Sequence, residues 1–258
     1  MPLLCRIEPF SRSASRSRRF QLLLSVLYVR ESSGFNMQRG LSESNVSGAV
    51  PSAALTYGEL TTHGFLSMLD RLPARHRLTN GSVLFDLGSG VGKFSMGAAM
   101  MTPVRASVGI EIVEWRHSIA QRVKARAAEL ELLTAGELSR LSFRLGDALD
   151  PAQFASSATH VYTANLCFSD SMNKRLVAAL EHVEAQFECI MVLVQLPLDP
   201  LAAVCLLLHK TAVVQMTWSS ATVYYYCRCS MHSTEAREPS VSHIAGTAAA
   251  VGSASRSL

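Results

Sequence analysis

The sequence predicts an α/β fold: a doubly wound, mostly parallel sheet of seven strands that closes in an antiparallel hairpin. Through the middle of the chain, short apolar runs alternate with stretches of helical periodicity, which is the pattern of β-α-β units. The first of these runs leads directly into a glycine-rich turn at residues 86–92, as a strand does before the helix that follows it. The last two runs, 212–218 and 221–228, leave no room for a helix between them, which favours a hairpin.

The first predicted element is a helix over residues 62–72, where Phe65, Leu66 and Leu69 share one face. An apolar face at helical spacing from Trp115 to Leu133 predicts a second, long helix. The other predicted elements, in chain order, are strand 82–86, helix 93–101, strands 105–110, 141–145 and 159–163, helix 171–183, strand 189–194 and the two hairpin strands.

Length and composition indicate one domain with flanking segments. A chain of 258 residues that is 48% apolar can bury a full core. The net charge of +4 is too small to indicate nucleic-acid binding by itself. The six cysteines form no C-x-x-C pair. We therefore predict no metal site, and buried free thiols in a reducing compartment.

The two ends differ from the middle, and we predict a basic segment and linker over 1–50, the main domain over 51–229 and a disordered tail over 230–258. The first 30 residues hold six arginines, many serines and a single acid. Three interpretations stay open: an organelle transit peptide, a basic arm that contacts nucleic-acid phosphates, or a mis-called start of the reading frame. The apolar run 20–28 is too short to span a membrane.

The glycine-rich turn is the strongest indication of a ligand site. Gly88, Gly90 and Gly92 alternate, and Lys93 opens the next helix, whose N–H groups can meet an anionic group. The third glycine comes one residue earlier than in the dinucleotide fingerprint, and Asp86 precedes the first glycine by two residues. This spacing suits S-adenosylmethionine, whose carboxylate rather than a pyrophosphate would meet the turn. A purely structural turn is the alternative.

Polar residues also end the next three predicted strands, where ligands bind in doubly wound sheets. Glu111 can accept hydrogen bonds from both ribose hydroxyls, or be a solvated carboxylate. Asp147 can accept one from an adenine amino group, or cap a helix. Asn165 can fix a substrate amine or the methionine end of the donor, or be an ordinary turn residue.

An aromatic cluster occupies the final hairpin: Trp218, Tyr224, Tyr225 and Tyr226. The default interpretation is packing in the core or on the sheet face. In a lysine methyltransferase such residues would also shape a narrow apolar channel, where desolvation favours the neutral amine and aromatic faces hold a methylated ammonium. Tyr224 and Tyr226 share one face of the strand, and Tyr225 takes the other.

Several motifs together resemble one known family. In order along the chain they are Tyr57-Gly-Glu59, Asp86-Leu-Gly-Ser-Gly-Val-Gly92, Val108-Gly-Ile-Glu111, Gly146-Asp147, Asn165-Leu-Cys-Phe168 and the Trp218 to Tyr226 stretch. This chain looks like the catalytic domain of the disruptor-of-telomeric-silencing (Dot-one) histone methyltransferases, over about residues 55–228. The upstream Tyr-Gly-Glu and the Asn-x-x-Phe are the more specific motifs.

The resemblance implies a Rossmann-like, class I S-adenosylmethionine-dependent methyltransferase without a SET domain. Its substrate would be a lysine in the globular core of histone H3, its partner the nucleosome and its location the nucleus. The site residues that it implies are Tyr57 and Glu59 in a loop over the donor, Gly88 and Gly90 at the methionine end, Glu111 at the ribose, Asp147 at the adenine, and Asn165 with Tyr225 or Tyr226 at the lysine channel. Lys93 departs from the family pattern, but a lysine there could still pair with the donor carboxylate.

The chain departs from the family pattern at several points. Leu60 separates Glu59 from Thr61, Lys93 replaces a glutamine, and the run after Asn165 lacks a second asparagine. The end of the fifth strand lacks a basic residue, and the hairpin lacks a Gly-Lys-Pro turn. Three alternatives therefore stay open: a methyltransferase of another protein or a small molecule, an inactive chromatin-binding module, and a mitochondrial enzyme if the first 30 residues are a transit peptide.

Overall fold

The computed structural model describes residues 15–28, 61–216 and 219–229. Its seven-stranded sheet has the order β3-β2-β1-β4-β5-β7-β6. The first five strands pair in parallel, and β7 pairs antiparallel with both β5 and β6. The predicted fold class, the doubly wound sheet with a closing antiparallel hairpin, is confirmed. The strands are β1 (Val83–Leu87), β2 (Ala106–Glu111), β3 (Leu141–Leu145), β4 (His160–Thr163), β5 (Cys189–Val192), β6 (Leu206–Gln215) and β7 (Ser220–Arg228).

Helices cover both faces of the sheet. Those of the described segments are α1 (Arg16–Leu22), α2 (Thr62–Asp70), α3 (Lys93–Met101), α4 (Glu114–Glu129), α5 (Ala135–Ser139), α6 (Asp170–Leu180) and α7 (Leu198–Ala203). Side chains of α1 to α4 pack in one core cluster, and those of α6 and α7 pack in a second cluster on the opposite face. Strands β1, β4 and β5 are buried on both faces, which explains why the sequences of β1 and β5 read as nearly continuous apolar runs.

Two predicted boundaries were wrong. The long helix ends at Glu129 rather than near Leu133, and Glu131 then takes a positive φ of 53°. Leu132 and Leu133 are buried in the loop that follows this helix. Their apolar side chains continue the helical pattern of the sequence, although the backbone there is no longer helical. Strand β6 begins at Leu206, six residues earlier than predicted. A bulge between Leu208 and Lys210 interrupts the alternation there, because one extra residue shifts the period-two pattern.

The N-terminal segment belongs to the core. The sequence predicts that residues 1–50 lie outside the domain, whereas α1 and the π-helical turn Leu23–Tyr28 that continues it are part of it. Phe20, Leu23 and Tyr28 are almost fully buried there. The arginine- and serine-rich composition concealed the apolar face of this helix.

A buried ion pair fixes α1 to the rest of the domain. The two terminal nitrogens of Arg19 donate to the two carboxylate oxygens of Glu137, at 2.7 and 2.8 Å, and one of them also donates to the carbonyl of Leu132 at 2.6 Å. Glu137 in turn completes a capping box with Thr134 at the start of α5. A contact between residues 118 positions apart cannot be anticipated from local sequence.

The prediction of free thiols was wrong for two cysteines. Cys189 of β5 and Cys227 of β7 occupy directly opposed positions and are joined as a disulfide. Cys167, Cys205 and Cys229 are free. The pairing depends on the register between two strands that lie 38 residues apart in the sequence, which composition does not encode.

Candidate functional site

Several of the residues predicted to bind the methyl donor lie at the carboxyl ends of the parallel strands. We call this side of the sheet the carboxyl edge. Because the strand order is β3-β2-β1-β4, the residues at or just after these ends follow in the sequence Asp147, Glu111, Asp86 and Asn165 along the edge. Tyr57, Glu59 and Trp218 lie outside the described residues.

The glycine turn between β1 and α3 needs glycine at each of its three alternate positions. Gly88, Gly90 and Gly92 have φ values of 78°, 56° and 86°, a left-handed conformation that other residues adopt only with strain. A Cβ on Gly92 would lie 2.5 Å from the ring of Phe143, whereas a Cβ on Gly88 would meet no atom within 4 Å. The turn therefore packs closely on one side and leaves open space on the other, at Gly88.

Glu111 supports this turn from the end of β2. Its two carboxylate oxygens accept backbone N–H groups from Gly90 at 2.7 Å and Val113 at 2.8 Å. Burial raises the pKa of Glu111, while the nearby positive charge of Arg116 acts to lower it. Each carboxylate oxygen can accept more than one hydrogen bond, so the geometry is compatible with the ribose contact predicted for this residue.

Asp86 lies beside Glu111 near the end of β1 and is almost completely buried. Its carboxylate accepts a hydrogen bond of 2.8 Å from the hydroxyl of Ser95 in α3. Burial raises the pKa of Asp86 to about 7, and the charge of Glu111 adds to the rise. A buried carboxylate with few hydrogen bonds is a natural partner for a cationic ligand group.

Lys93 is the first residue of α3, directly after the turn. Its ammonium nitrogen lies 5.1 Å from the ring centroid of Tyr28, at the end of the N-terminal segment. This distance is that of a cation–π contact. The side chain is half-buried, and its positive charge lies against the ring of Tyr28.

Asp147 follows β3, and its carboxylate has two partners within the protein. One carboxylate oxygen accepts from the backbone N–H of Leu149 at 2.9 Å, as in a turn cap, and the other accepts from Arg175 at 2.6 Å. Arg175 belongs to α6, so this ion pair joins that helix to the loop after β3. Ala148 and Leu149 are buried beside it, which limits the access of a ligand to that side.

Asn165 is fully buried after β4 and has its side-chain amide fully engaged. The amide oxygen accepts from the backbone N–H groups of Leu193 and Val194, both at 2.9 Å. The amide nitrogen donates to the side chain of Asn173 at 2.9 Å and to the carbonyl of Val194 at 3.3 Å. These bonds hold the end of β5 against the loop after β4.

Tyr225 and Tyr226 point into opposite core clusters, as the alternation of a strand requires. The hydroxyl of Tyr225 donates to the carbonyl of Met68 at 2.9 Å. The hydroxyl of Tyr226 accepts from the backbone N–H of Leu196 at 2.9 Å and donates to its carbonyl at 3.2 Å. Burial raises the pKa of both phenols. Both tyrosines pack in the core, and their hydroxyls bond to Met68 and Leu196 rather than to Asp86.

Sequence reasoning missed four residues at this edge: Tyr28, Ser95, Arg116 and Arg175. Ser95 is a polar residue on an otherwise apolar, buried helix, and this was the one available signal. Tyr28 and Arg175 act on Lys93 and Asp147 across long sequence separations. Arg116 lies in the first turn of α4, close in sequence to Glu111, but its burial was not predicted. Within the described residues, no group of histidine, cysteine and acidic side chains is arranged to hold a metal ion. No described helix has the length and apolar character needed to cross a membrane.

Solved structures of similar fold include several methyltransferases. The chain is 15% identical to the B. subtilis M1A22 tRNA methyltransferase TrmK, over 66% of this chain and 67% of that one, with a TM-score of 0.48. It is also 15% identical to the magnesium protoporphyrin IX methyltransferase ChlM of Synechocystis PCC 6803, over 85% and 100%, with a TM-score of 0.48. Identity this low carries no information on substrate. No curated protein sequence matches the chain.

One protein-family model matches residues 49–193, more than half of the chain. The matched segment contains the glycine turn, Glu111, Asp147 and Asn165, and it ends directly after β5. The resemblance to the Dot-one family is thus confirmed. By this match the chain belongs to the family of the histone methylation protein DOT1, and this membership makes it a methyltransferase that depends on S-adenosylmethionine.

Proposed function

We propose that the protein methylates a lysine in the globular core of histone H3. The observation that carries this proposal is the family match over residues 49–193, because that family is described by histone methylation. The fold and cofactor alone fit many substrates. The proposal therefore depends on the family for its substrate and on the geometry of the carboxyl edge for its donor site.

The charges of the residues at this edge support donor binding. Along the chain, Gly88 and the open space beside it lie between Asp86 of β1 and Lys93, the first residue of α3. We assign Lys93 to the donor carboxylate, Asp86 to the donor ammonium and Glu111 to the ribose. Asp147 is assigned to the adenine amino group and shares its charge with Arg175. On the family pattern, Tyr57 and Glu59 would close over the donor.

When bound, the donor supplies a methyl group that is activated by a positively charged sulfur. The lysine nitrogen forms a bond to the methyl carbon as the bond from carbon to sulfur breaks, and the amine then releases its proton to solvent. The task of the protein is to hold the two reactants in line, for which effective molarities of roughly 10⁵–10⁸ M are possible. The mechanism requires no strong general base when the amine arrives neutral.

We propose that Asn165 and one of Tyr225 and Tyr226, which lie on opposite faces of β7, support the lysine channel from within the core. Their polar atoms are bonded inside the protein, so we expect them to act by shaping β4, β5 and β7 rather than by touching the reacting atoms. The same observation favours one second candidate, a module that binds the donor and chromatin without turnover.

The proposed partner is the nucleosome and the proposed location is the nucleus. Arg16 and Arg18 lie exposed on α1 and can contact DNA phosphates. Such contact predicts binding to nucleosomes that weakens steeply as salt rises, because each phosphate contact releases counterions. Equal affinity at 50 and 200 mM salt would contradict a DNA contact.

The test is to incubate the protein with radiolabelled S-adenosylmethionine and nucleosomes. We expect label on histone H3, and none with Gly90→Arg, because a side chain at φ 56° is strained and obstructs the turn. Glu111→Gln is the milder control, which keeps the shape and removes the charge. Donor binding without labelled histone would overturn the histone activity and favour the binding module. Absence of donor binding would overturn the site itself.

A further inference from the structure

The N-terminal segment ends against the residue that we assign to the donor carboxylate. Tyr28 is the last residue of the π-helical turn, it is 2% exposed, and Lys93 lies over its ring. We propose that Tyr28 is a positioning residue that holds the Lys93 ammonium at the glycine turn, where it meets the carboxylate of the donor. The inference rests on the proposed donor site, and it makes α1 part of that site.

The segment that carries Tyr28 is held rigidly. Ser15 caps α1, and Phe20, Leu23 and Leu27 are buried against the helices of the same face. A Cβ on Gly97 in α3 would lie 2.8 Å from the ring of Phe20, so α3 has space for that ring only because position 97 is glycine. The ring of Tyr28 is therefore fixed relative to α3, the helix that begins with Lys93.

A fixed aromatic ring restricts a flexible side chain. Lysine has four rotatable side-chain bonds, and ordering them on ligand binding costs conformational entropy. Tyr28 presents its ring to the Lys93 ammonium, which attracts the cation by the ring quadrupole. Ordering before the ligand arrives strengthens binding. The gain applies only to ligands that carry the carboxylate that Lys93 meets.

Two ligands separate this role from a purely structural one. S-adenosylhomocysteine has the amino-acid end of the donor, and 5′-methylthioadenosine has the nucleoside but lacks that end. We expect Tyr28→Leu to weaken binding of S-adenosylhomocysteine by about tenfold, the scale of one charge-assisted contact, and to leave binding of 5′-methylthioadenosine unchanged. Tyr28→Phe is the matched control, since it keeps the ring, and should bind both ligands as the wild type does.

Lys93→Met is the second variant, and it tests the same link without disturbing the core because Lys93 is half-buried. It should weaken binding of S-adenosylhomocysteine at least as much as Tyr28→Leu does, and the double variant should bind no more weakly than Lys93→Met alone. Calorimetry on the full chain measures all of these affinities.

Three outcomes would overturn the inference: equal weakening of both ligands in Tyr28→Leu, unchanged binding of S-adenosylhomocysteine in Lys93→Met, or additive losses in the double variant. Failure of the wild type to bind either ligand would overturn the donor site and the inference with it. The histone-labelling experiment is separate, since its failure leaves the affinities of the two ligands unaffected.

Discussion

Asp86 makes donor binding depend on pH near neutrality. Burial raises its pKa to about 7, and its proposed partner is the ammonium of the donor, which attracts only the ionised carboxylate. The affinity should therefore be highest above pH 7 and fall as pH drops through 7, approaching a tenfold loss for each further pH unit. Calorimetry with S-adenosylhomocysteine at pH 6, 7 and 8 measures this.

Asp86→Asn is the control for that dependence. The amide keeps the shape and can still accept from Ser95, but it cannot ionise. We expect the variant to bind S-adenosylhomocysteine at least tenfold more weakly at pH 8 and with a nearly flat profile between pH 6 and 8. A wild-type profile that is equally flat would contradict the assignment of Asp86 to the ammonium.

We expect the Arg19–Glu137 pair to affect the free energy of unfolding strongly only when one of its two members is removed. Removing one member leaves a buried charge without its partner, which costs about 3–5 kcal/mol. Arg19→Met should lower the free energy of unfolding by this amount in urea titrations at pH 7. The double variant Arg19→Met/Glu137→Gln should recover part of it, since glutamine is neutral and can still cap Thr134.

The Arg19–Glu137 pair also predicts how the free energy of unfolding depends on pH. Burial raises the pKa of Glu137, but the bonds from Arg19 and Thr134 outweigh it and hold the pKa below its usual value. A lowered pKa in the folded state means stabilisation that is complete above the ordinary value of 4.5 and is lost as pH falls below it. The loss of unfolding free energy caused by Arg19→Met should thus be smaller at pH 3 than at pH 7. An equal loss at both pH values would contradict a stabilising ion pair between Arg19 and Glu137.

The contact between α2 and β6 depends on one glycine. A Cβ on Gly64 would collide with the backbone carbonyl of Gln215, the same carbonyl that accepts from the backbone and the hydroxyl of Thr61 at 3.1 and 3.0 Å. In an isolated helix, Gly→Ala stabilises by roughly 1 kcal/mol. Here the helix must shift away from the strand, so we expect Gly64→Ala to destabilise by about 1–3 kcal/mol.

Gly136 provides the matched control for that substitution. It lies in α5, and a Cβ there would meet no atom within 4 Å. Gly136→Ala should leave the melting temperature unchanged or raise it slightly. A fall in melting temperature for Gly136→Ala equal to that for Gly64→Ala would mean that the contact with Gln215 is not the cause.

The elements that sequence could predict are those whose burial is continuous or strictly periodic. Strands β1, β4 and β5 are buried on both faces and were found within two residues of their ends. Strand β6 was half missed because its bulge breaks the alternation. The short helices α5 and α7 span too few turns to show a period.

The site was predictable as far as topology determines it. Asp86, Glu111 and Asp147 could be placed at one edge because parallel strands bring their carboxyl ends together. The sequence could not show which polar atoms of the candidate site residues are already hydrogen-bonded inside the protein. The bonds of Asn165 to Leu193 and of Tyr225 to Met68 cross 28 and 157 residues of sequence, and no local pattern records such a partner.

The whole molecule depends on its first helix, and truncation tests that dependence. A protein that lacks residues 1–28 loses Phe20, Leu23, Leu27 and Tyr28 from the larger core cluster. Each fully buried apolar side chain contributes about 1.5–3 kcal/mol, and native domains have only about 5–15 kcal/mol in total. We expect this truncation to be insoluble or unfolded by circular dichroism. The control is a truncation of residues 1–14 alone, which keeps α1. Equal melting temperatures for the two would contradict the role of α1 in the core.

The order of α1 and its ion-pair partner along the chain has a consequence for synthesis. Arg19 of this helix is made before Glu137, the residue that neutralises it, which follows 118 residues later. At about 5–20 residues per second, roughly 6–24 s pass between the synthesis of Arg19 and that of Glu137, although Phe65 and Gly97, which pack against Phe20, are made earlier. During this time α1 lacks its buried ion pair, and its apolar face is a binding site for holding chaperones. Folding of this protein should therefore complete only late in translation, once the segment that carries Glu137 has emerged.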